Sequence, residues 1–108
     1  MFIKVSNEQI EAWKKKHVEG VLAWETQEGK VYFKNPNKSE KYFHTIKRAL
    51  VFQQNKDLVS AGEVIFNACY LGGLGDLNNI EKNHPSYVGA CLACTDLIEI
   101  TEGNFTAA

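Results

Sequence analysis

Three cysteines and one histidine are the residues of this chain whose types and spacing most directly suggest chemistry. Cys91 and Cys94 form a CxxC pair, and Cys69 and His84 are further donors that a tetrahedral zinc site would accept. Structural zinc sites place the CxxC in a turn, where two sulfur atoms converge, whereas this pair falls inside a predicted helix. We therefore expect small buried side chains at all three cysteines. A metal- or ligand-binding domain built on these four residues is the alternative hypothesis.

Two other chemical interpretations are weaker. A redox CxxC needs its first cysteine at a helix N-terminus, where the dipole lowers the thiol pKa, but Cys91 lies about two turns into its predicted helix. The glycine-rich segment 71–76 (LGGLGD) follows a predicted helix rather than a strand, and no Lys-Ser or Lys-Thr pair follows it, unlike a phosphate-binding loop. We expect a glycine of this segment to end the preceding helix in the left-handed conformation.

No arrangement of residues in the sequence predicts catalysis. The candidate general bases near neutral pH are His17, His44 and His84, and none is spaced from a serine or a carboxylate as a catalytic dyad requires. His17 is expected in the last turn of the first helix, where a positive charge interacts favourably with the helix dipole. We therefore predict a protein that is not an enzyme and that uses no cofactor.

The composition predicts a single folded domain. The chain has 108 residues, of which 44% are hydrophobic and 23% are charged, close to the globular average. A net charge of −1 argues against a nucleic-acid partner, because phosphate contacts need a clustered excess of basic residues. The sequence shows neither the apolar region of a secretory signal nor an apolar run of the roughly 20 residues that span a bilayer. We expect a cytoplasmic protein with reduced cysteines and no membrane partner.

The N-terminal part of the chain predicts a helix followed by a β-hairpin. Ser6 and Gln9 form a capping-box pattern at the start of a predicted helix over 7–17. β-Branched and aromatic residues then predict strands over 21–26 and 30–33, with a glycine between them for a tight reversal. A two-stranded hairpin is marginal by itself in water. Its aromatic residues must therefore pack on helices or pair with a strand of another chain.

Three further helices are predicted, over 38–54, from 58 to the glycine-rich segment, and over 85–100. Pro85 is preorganised for the first turn of the last helix, and Asn83 or His84 precedes it as a cap. This helix contains the small residues Gly89, Ala90 and Ala93, which predict that it packs closely against a neighbour.

The order of these elements predicts an α+β fold, in which an N-terminal helix, a β-hairpin and three helices pack as one small domain over residues 1–108. The helices are expected on the core face of the hairpin. The last residues, about 103–108, are expected to be loose.

Aromatic residues interleaved with lysines cluster in the N-terminal half. A two-stranded hairpin is too small to stack bases as the sheet-based RNA readers do. Aromatic side chains are, however, enriched in protein interfaces. We therefore predict a protein-binding surface on the hairpin, formed by Trp24, Tyr32, Phe33 and Lys34.

Several short motifs give the chain a resemblance to a known class of proteins. They are Trp13 before the run KKKHVEG at 14–20, the hairpin end Tyr32-Phe33-Lys34-x-Pro36, and the pattern Glu63-x-x-x-Asn67-x-Cys69-x-Leu71-x-Gly73. Over residues 11–100 their order resembles that of the small tail assembly chaperones encoded in the structural modules of tailed phages and prophages. The chain departs from that pattern in its glycine-rich segment and in a short, weakly charged C-terminus.

The resemblance implies a function as well as a class. It implies a protein that is not an enzyme, that binds the long helical tape-measure protein and keeps its apolar stripes from aggregating, and that helps to recruit tail-tube subunits. It also implies homo-oligomers or rings, which are common in such families.

Overall fold

The structure, a computed structural model, describes residues 2–38, 40–75 and 84–108, and in them the chain forms a three-stranded antiparallel sheet and four α-helices. This confirms the predicted α+β class. The elements in chain order are α1 (Asn7–Lys16), β1 (Val21–Glu25), β2 (Lys30–Lys34), α2 (Phe43–Gln54), α3 (Leu58–Cys69), β3 (Tyr70–Gly72) and α4 (Pro85–Cys94).

Side-chain caps determine where three of the helices begin. Ser6 Oγ accepts a hydrogen bond of 3.2 Å from the backbone N–H of Gln9, as the capping-box pattern predicted. Asp57 caps α3 in the same way, and its hydrogen bonds hold the pKa of its carboxyl below the ordinary value. His84 Nδ1 accepts a hydrogen bond of 3.1 Å from the N–H of Ser86 at the start of α4. The other predicted cap of α4, Asn83, lies outside the described residues.

The first helix, α1, ends one residue before the predicted end at residue 17. The helix ends at Lys16, and His17 is the C-cap residue rather than a member of the last turn. The backbone N–H of His17 donates to the carbonyl of Trp13 at 2.8 Å, and its Nδ1 lies 3.6 Å from Glu19 Oε1.

The central strand of the sheet is β2. It pairs with β1 as the predicted hairpin, with Leu22 opposite Phe33 and Trp24 opposite Val31. Because side chains alternate along a strand, Val31 and Phe33 both point to the helices, where they are 0% and 2% exposed. On its other side β2 pairs with β3, a strand that the sequence did not predict.

The third helix ends before the glycine-rich segment, and the prediction that a left-handed glycine terminates it is wrong. α3 ends at Cys69, and the chain continues directly as β3. Gly73 does have a φ of +118°, but it follows the strand rather than the helix. The ring of Tyr70 stacks on Phe66 with centroids 4.9 Å apart, so pairing with β2 and aromatic packing override the helical periodicity here. Residue 76 of the segment lies outside the described part of the chain.

Two other helices are shorter than predicted. The second begins at Phe43, because the preceding residues form 3₁₀ turns at Pro36–Lys38 and Glu40–Tyr42. The last ends at Cys94 and is followed by a 3₁₀ turn at Thr95–Leu97. The side chain of Asn37 explains this end, since its amide donates to the carbonyl of Leu97 and its Oδ1 accepts a hydrogen bond of 3.0 Å from the N–H of Glu99. These bonds hold the chain away from a further helical turn.

The core lies between the sheet and the helices α2, α3 and α4. The predicted close packing of α4 is confirmed, but the closest approach occurs at a glycine of α3. A Cβ atom built on Gly62 would lie 1.6 Å from the carbonyl oxygen of Cys91. The largest fully buried side chains are those of Phe66, Ile65, Val31, Pro36, Cys69, Cys91 and Cys94.

The described helices are not of the kind that crosses a membrane. Each is either too short or too polar to span a bilayer.

Candidate protein-binding groove

The strand β1 forms an uncovered edge of the sheet. In the part of the chain that the structure describes, the sheet order is β1-β2-β3, and no strand lies beyond β1. The edge at the other side is partly covered by the N-terminus, where Phe2 bridges Leu74 and the N–H of Ile3 donates to the carbonyl of Gly73 at 2.7 Å. Uncovered strand edges are where a partner chain adds to a sheet.

An apolar groove of about 230 Å³ lies between β1 and the C-terminal end of α4. Leu22 and Trp24 form its wall on the β1 side, and Ala93 and Leu97 form the opposite wall. Alternation along β1 directs Leu22 and Trp24 to the same face of the sheet, which is why both reach the groove. The groove therefore presents apolar surface beside an edge to which a partner can gain access.

A glycine of α4 positions the indole ring of Trp24. A Cβ atom built on Gly89 would lie 3.3 Å from the ring, so a larger residue would press on the indole. Among the described residues, the groove has one charged lining residue, Asp96, which is exposed. Its acidic side chain disfavours a partner that brings a negative charge to this position.

The four residues predicted to bind a partner do not form one surface. Trp24 and Phe33 both line the groove, but Phe33 is 2% exposed and its ring packs against Phe66 with centroids 5.6 Å apart. Phe33 thus supports the groove from the core. Tyr32 lies on the opposite face of the sheet, with its ring centroid 5.7 Å from that of Trp13. The alternation of side chains along β2 therefore places Tyr32 and Phe33 on opposite faces of the sheet.

Lys34, the fourth predicted residue, also lies away from the groove. Its Nζ atom is 5.7 Å from the centroid of the Tyr42 ring, at the end of β2. The predicted binding surface on the hairpin is therefore divided, and Trp24 is the one of its four residues that is both in the groove and partly exposed.

The sequence did not identify Leu22, Ala93 and Leu97 as site residues. Leu22 alternates with Trp24 and is 38% exposed, so its position in an apolar strand was a usable signal. Ala93 reaches the groove from the last turn of α4, and Leu97 reaches it because α4 ends at Cys94 and the chain then turns. That end depends on a tertiary hydrogen bond, which no local pattern could reveal.

The three cysteines are buried, as the sequence predicted. Cys69, Cys91 and Cys94 are 0%, 0% and 1% exposed. Burial raises the pKa of the Cys69 thiol to about 11, and it raises the pKa of Cys94 as well. Among the described residues, no group of three His, Cys, Asp or Glu side chains converges as a metal site, and the ring of His84 caps α4. The geometry does not favour the alternative hypothesis of a site on these residues.

Two larger clefts lie on the outer face of the sheet, on either side of α1. Their volumes are about 460 and 340 Å³, and both are lined by Asn7, Ile10, Lys30 and Tyr32. These clefts separate α1 from the sheet, and their linings mix charged and apolar side chains. They are less suited than the β1 groove to an apolar partner.

Comparisons of the chain with models of protein families, with curated proteins and with solved structures find no match. The functional argument therefore depends on the geometry of the groove and on the motifs of the sequence.

Proposed function

We propose that the protein is a tail assembly chaperone of a tailed phage or prophage, which binds an apolar segment of a tape-measure or tail-tube protein in the β1 groove. The single observation that supports this proposal is the apolar groove between β1 and the C-terminal end of α4. A protein that shields the apolar stripes of a partner needs such a surface. The resemblance of the sequence motifs to tail assembly chaperones supplies the class of the partner.

The groove has room for one large apolar side chain. A cavity of roughly 150 Å³ accommodates a benzene molecule, and the groove measures about 230 Å³. A leucine or phenylalanine on one face of a partner helix can therefore insert between Leu22 and Leu97. Both residues contact apolar atoms of the partner in this arrangement, and Trp24 closes the end of the groove.

One such contact is weak, and this weakness fits a long partner. Burying one large apolar side chain contributes roughly 1.5–3 kcal/mol, whereas a micromolar dissociation constant requires about 8 kcal/mol. A long helical protein that repeats an apolar stripe can engage several copies of the chaperone at once. Where the copies are joined to one another, as in the homo-oligomers that the resemblance implies, the combined binding is much tighter than any single contact.

The experiment compares two substitutions of an exposed apolar residue by aspartate. Leu22→Asp places an unpaired carboxylate in the groove, whereas Val18→Asp makes the same change at a side chain that is 93% exposed and does not line the groove. Each tagged variant is isolated from phage-producing cells, and the bound proteins are identified and quantified by mass spectrometry.

We expect wild type and Val18→Asp to retain a long, helix-rich tail protein. Leu22→Asp should bind it at least roughly tenfold more weakly, a change of about 1.4 kcal/mol, and should therefore retain much less of it. Equal retention by both variants would show that the groove is not the binding surface. Recovery of no tail protein by wild type would exclude the proposed partner.

A further inference from the structure

The exposed side of α2 combines apolar and basic side chains. Phe43 and Val51 are 60% and 57% exposed and lie about two turns apart. Lys47 lies between them, with its Nζ atom 5.4 Å from the centroid of the Phe43 ring, and Arg48 is exposed next to it. Phe43, Lys47 and Val51 follow one another at four-residue spacing and share one side of the helix, and Arg48 borders this side three residues before Val51. We call these four residues the α2 face.

The charge of the α2 face is uncompensated. α2 contains no acidic residue, and within residues 2–38, 40–75 and 84–108 neither Lys47 nor Arg48 forms an ion pair. Two positive charges beside two exposed apolar side chains suit a segment that is both acidic and apolar.

The C-terminal segment of the chain, residues 99–108, has this chemistry. It contains Glu99 and Glu102 and no basic residue. Ile100 is 63% exposed, and Phe105 is exposed completely. The last hydrogen bond that ties the segment to the domain is the one between the N–H of Glu99 and Asn37, in the part of the chain that the structure describes.

The segment projects away from its own domain. Every residue from 99 to 108 is exposed, and the radius of gyration is 15.2 Å, compared with about 13 Å for a compact chain of this length. Within the described residues, the segment leaves the α2 face of its own chain open, with Phe43 at 60% exposure. The face is therefore available to the segment of another copy.

We propose that the C-terminal segment of one copy docks on the α2 face of a second copy. Ile100 and Phe105 then cover Phe43 and Val51, while Glu102 lies near the basic side chains between them. In extended form, the segment spans about 17 Å from Ile100 to Phe105, at about 3.4 Å for each residue. The α2 face spans about 12 Å from Phe43 to Val51, at 1.5 Å for each residue, so the segment is long enough to cover it.

This contact joins two different surfaces, so it generates rings or chains unless two copies exchange segments reciprocally. It uses none of the residues of the β1 groove, and it stands or falls independently of the proposed function.

Charge reversal on each side of the contact provides the test. The helix variant carries Lys47→Glu and Arg48→Glu, and the segment variant carries Glu99→Lys and Glu102→Lys. A control variant, Lys15→Glu and Lys16→Glu, changes the net charge as much as the helix variant does, at exposed residues of α1. Circular dichroism and thermal unfolding verify that each variant folds, and sedimentation velocity measures the mass as a function of protein concentration at low salt.

We expect wild type and the control variant to self-associate, and each charge-reversed variant to need a roughly tenfold or higher concentration to do so. Mixing the helix and segment variants should restore association, because each then offers the other an oppositely charged contact. Added salt should weaken the association of wild type.

Three results would overturn the proposal. A wild-type protein that is monomeric at every concentration would exclude the contact, and so would association that persists in both reversed variants. Failure of the mixture to associate, although each variant is folded, would show that the segment does not dock between copies.

Discussion

The two faces of the sheet are covered in very different ways. On the inner face, α2, α3 and α4 bury Val31, Ile65 and Phe66, each of which is at most 2% exposed. On the outer face, α1 has no buried residue, and Trp13 makes its main contact with the sheet by lying against Tyr32 and Gly72. The clefts of about 460 and 340 Å³ on either side of α1 show how little of it touches the sheet.

This difference indicates which parts of the molecule provide stability and which are available for binding. Apolar burial is the main favourable contribution to folding, and most of it occurs on the inner face. The β1 edge and the α2 face lie at the margins of this core and keep apolar atoms exposed. Substitutions there should alter binding with small effects on stability, whereas substitutions on the inner face should do the reverse.

The largest effect on stability is expected from adding a side chain at Gly62, where α3 and α4 are closest. In Gly62→Ala, the new Cβ atom would meet the carbonyl oxygen of Cys91, so α3 and α4 must separate. We expect the free energy of unfolding, measured by urea denaturation, to fall by roughly 3 kcal/mol or more.

Gly89→Ala is the matched control for this helical glycine. Its Cβ atom would lie 3.3 Å from the Trp24 ring, and alanine has a higher helix propensity than glycine. The free energy of unfolding should therefore change by no more than about 1 kcal/mol. Similar losses in the two variants would contradict the conclusion that α3 and α4 make the critical contact.

The features that sequence could predict are those whose signals are local. Ser6 and His84 cap their helices through neighbouring backbone N–H groups, and the hairpin follows from strand-forming residues around a glycine. The burial of Cys91 and Cys94 likewise follows from the small apolar residues beside them. In each case the deciding interactions lie within a few residues of the chain.

The features that sequence could not predict depend on contacts between distant residues. β3 is a three-residue strand that forms only because β2 offers it an edge, and its sequence continues the helical pattern of α3. The end of α4 depends on Asn37, about 60 residues earlier in the chain. The position of Leu97 in the β1 groove depends on that end, which explains why Trp24 was predicted and Leu97 was not.

A smaller effect is expected from removing the main contact of the outer face. Trp13→Ala deletes the indole that joins α1 to Tyr32 and Gly72. We expect the free energy of unfolding to fall by roughly 2 kcal/mol, because the ring is only partly buried. Hydrogen exchange should show the α1 amides less protected than the α3 amides in both proteins, because α1 opens while the inner face stays folded. Equal protection of the two helices would mean that the two faces unfold as one unit.

The smallest effect is expected from the pH dependence of a buried thiol on the inner face. Burial raises the pKa of Cys69 from 9.0 to about 11, so between these values the unfolded chain binds fewer protons than the folded chain, and stability falls as the pH rises. From pH 7 to pH 10 the contribution of Cys69 is a loss of roughly 1.4 kcal/mol.

Burial also raises the pKa of Cys94 and Tyr70, so the comparison of wild type with Cys69→Ala isolates this contribution. Urea denaturation should give Cys69→Ala the shallower decline with pH. Parallel declines would show that the thiol ionises equally in both states, and that the inner face is open to water near Cys69.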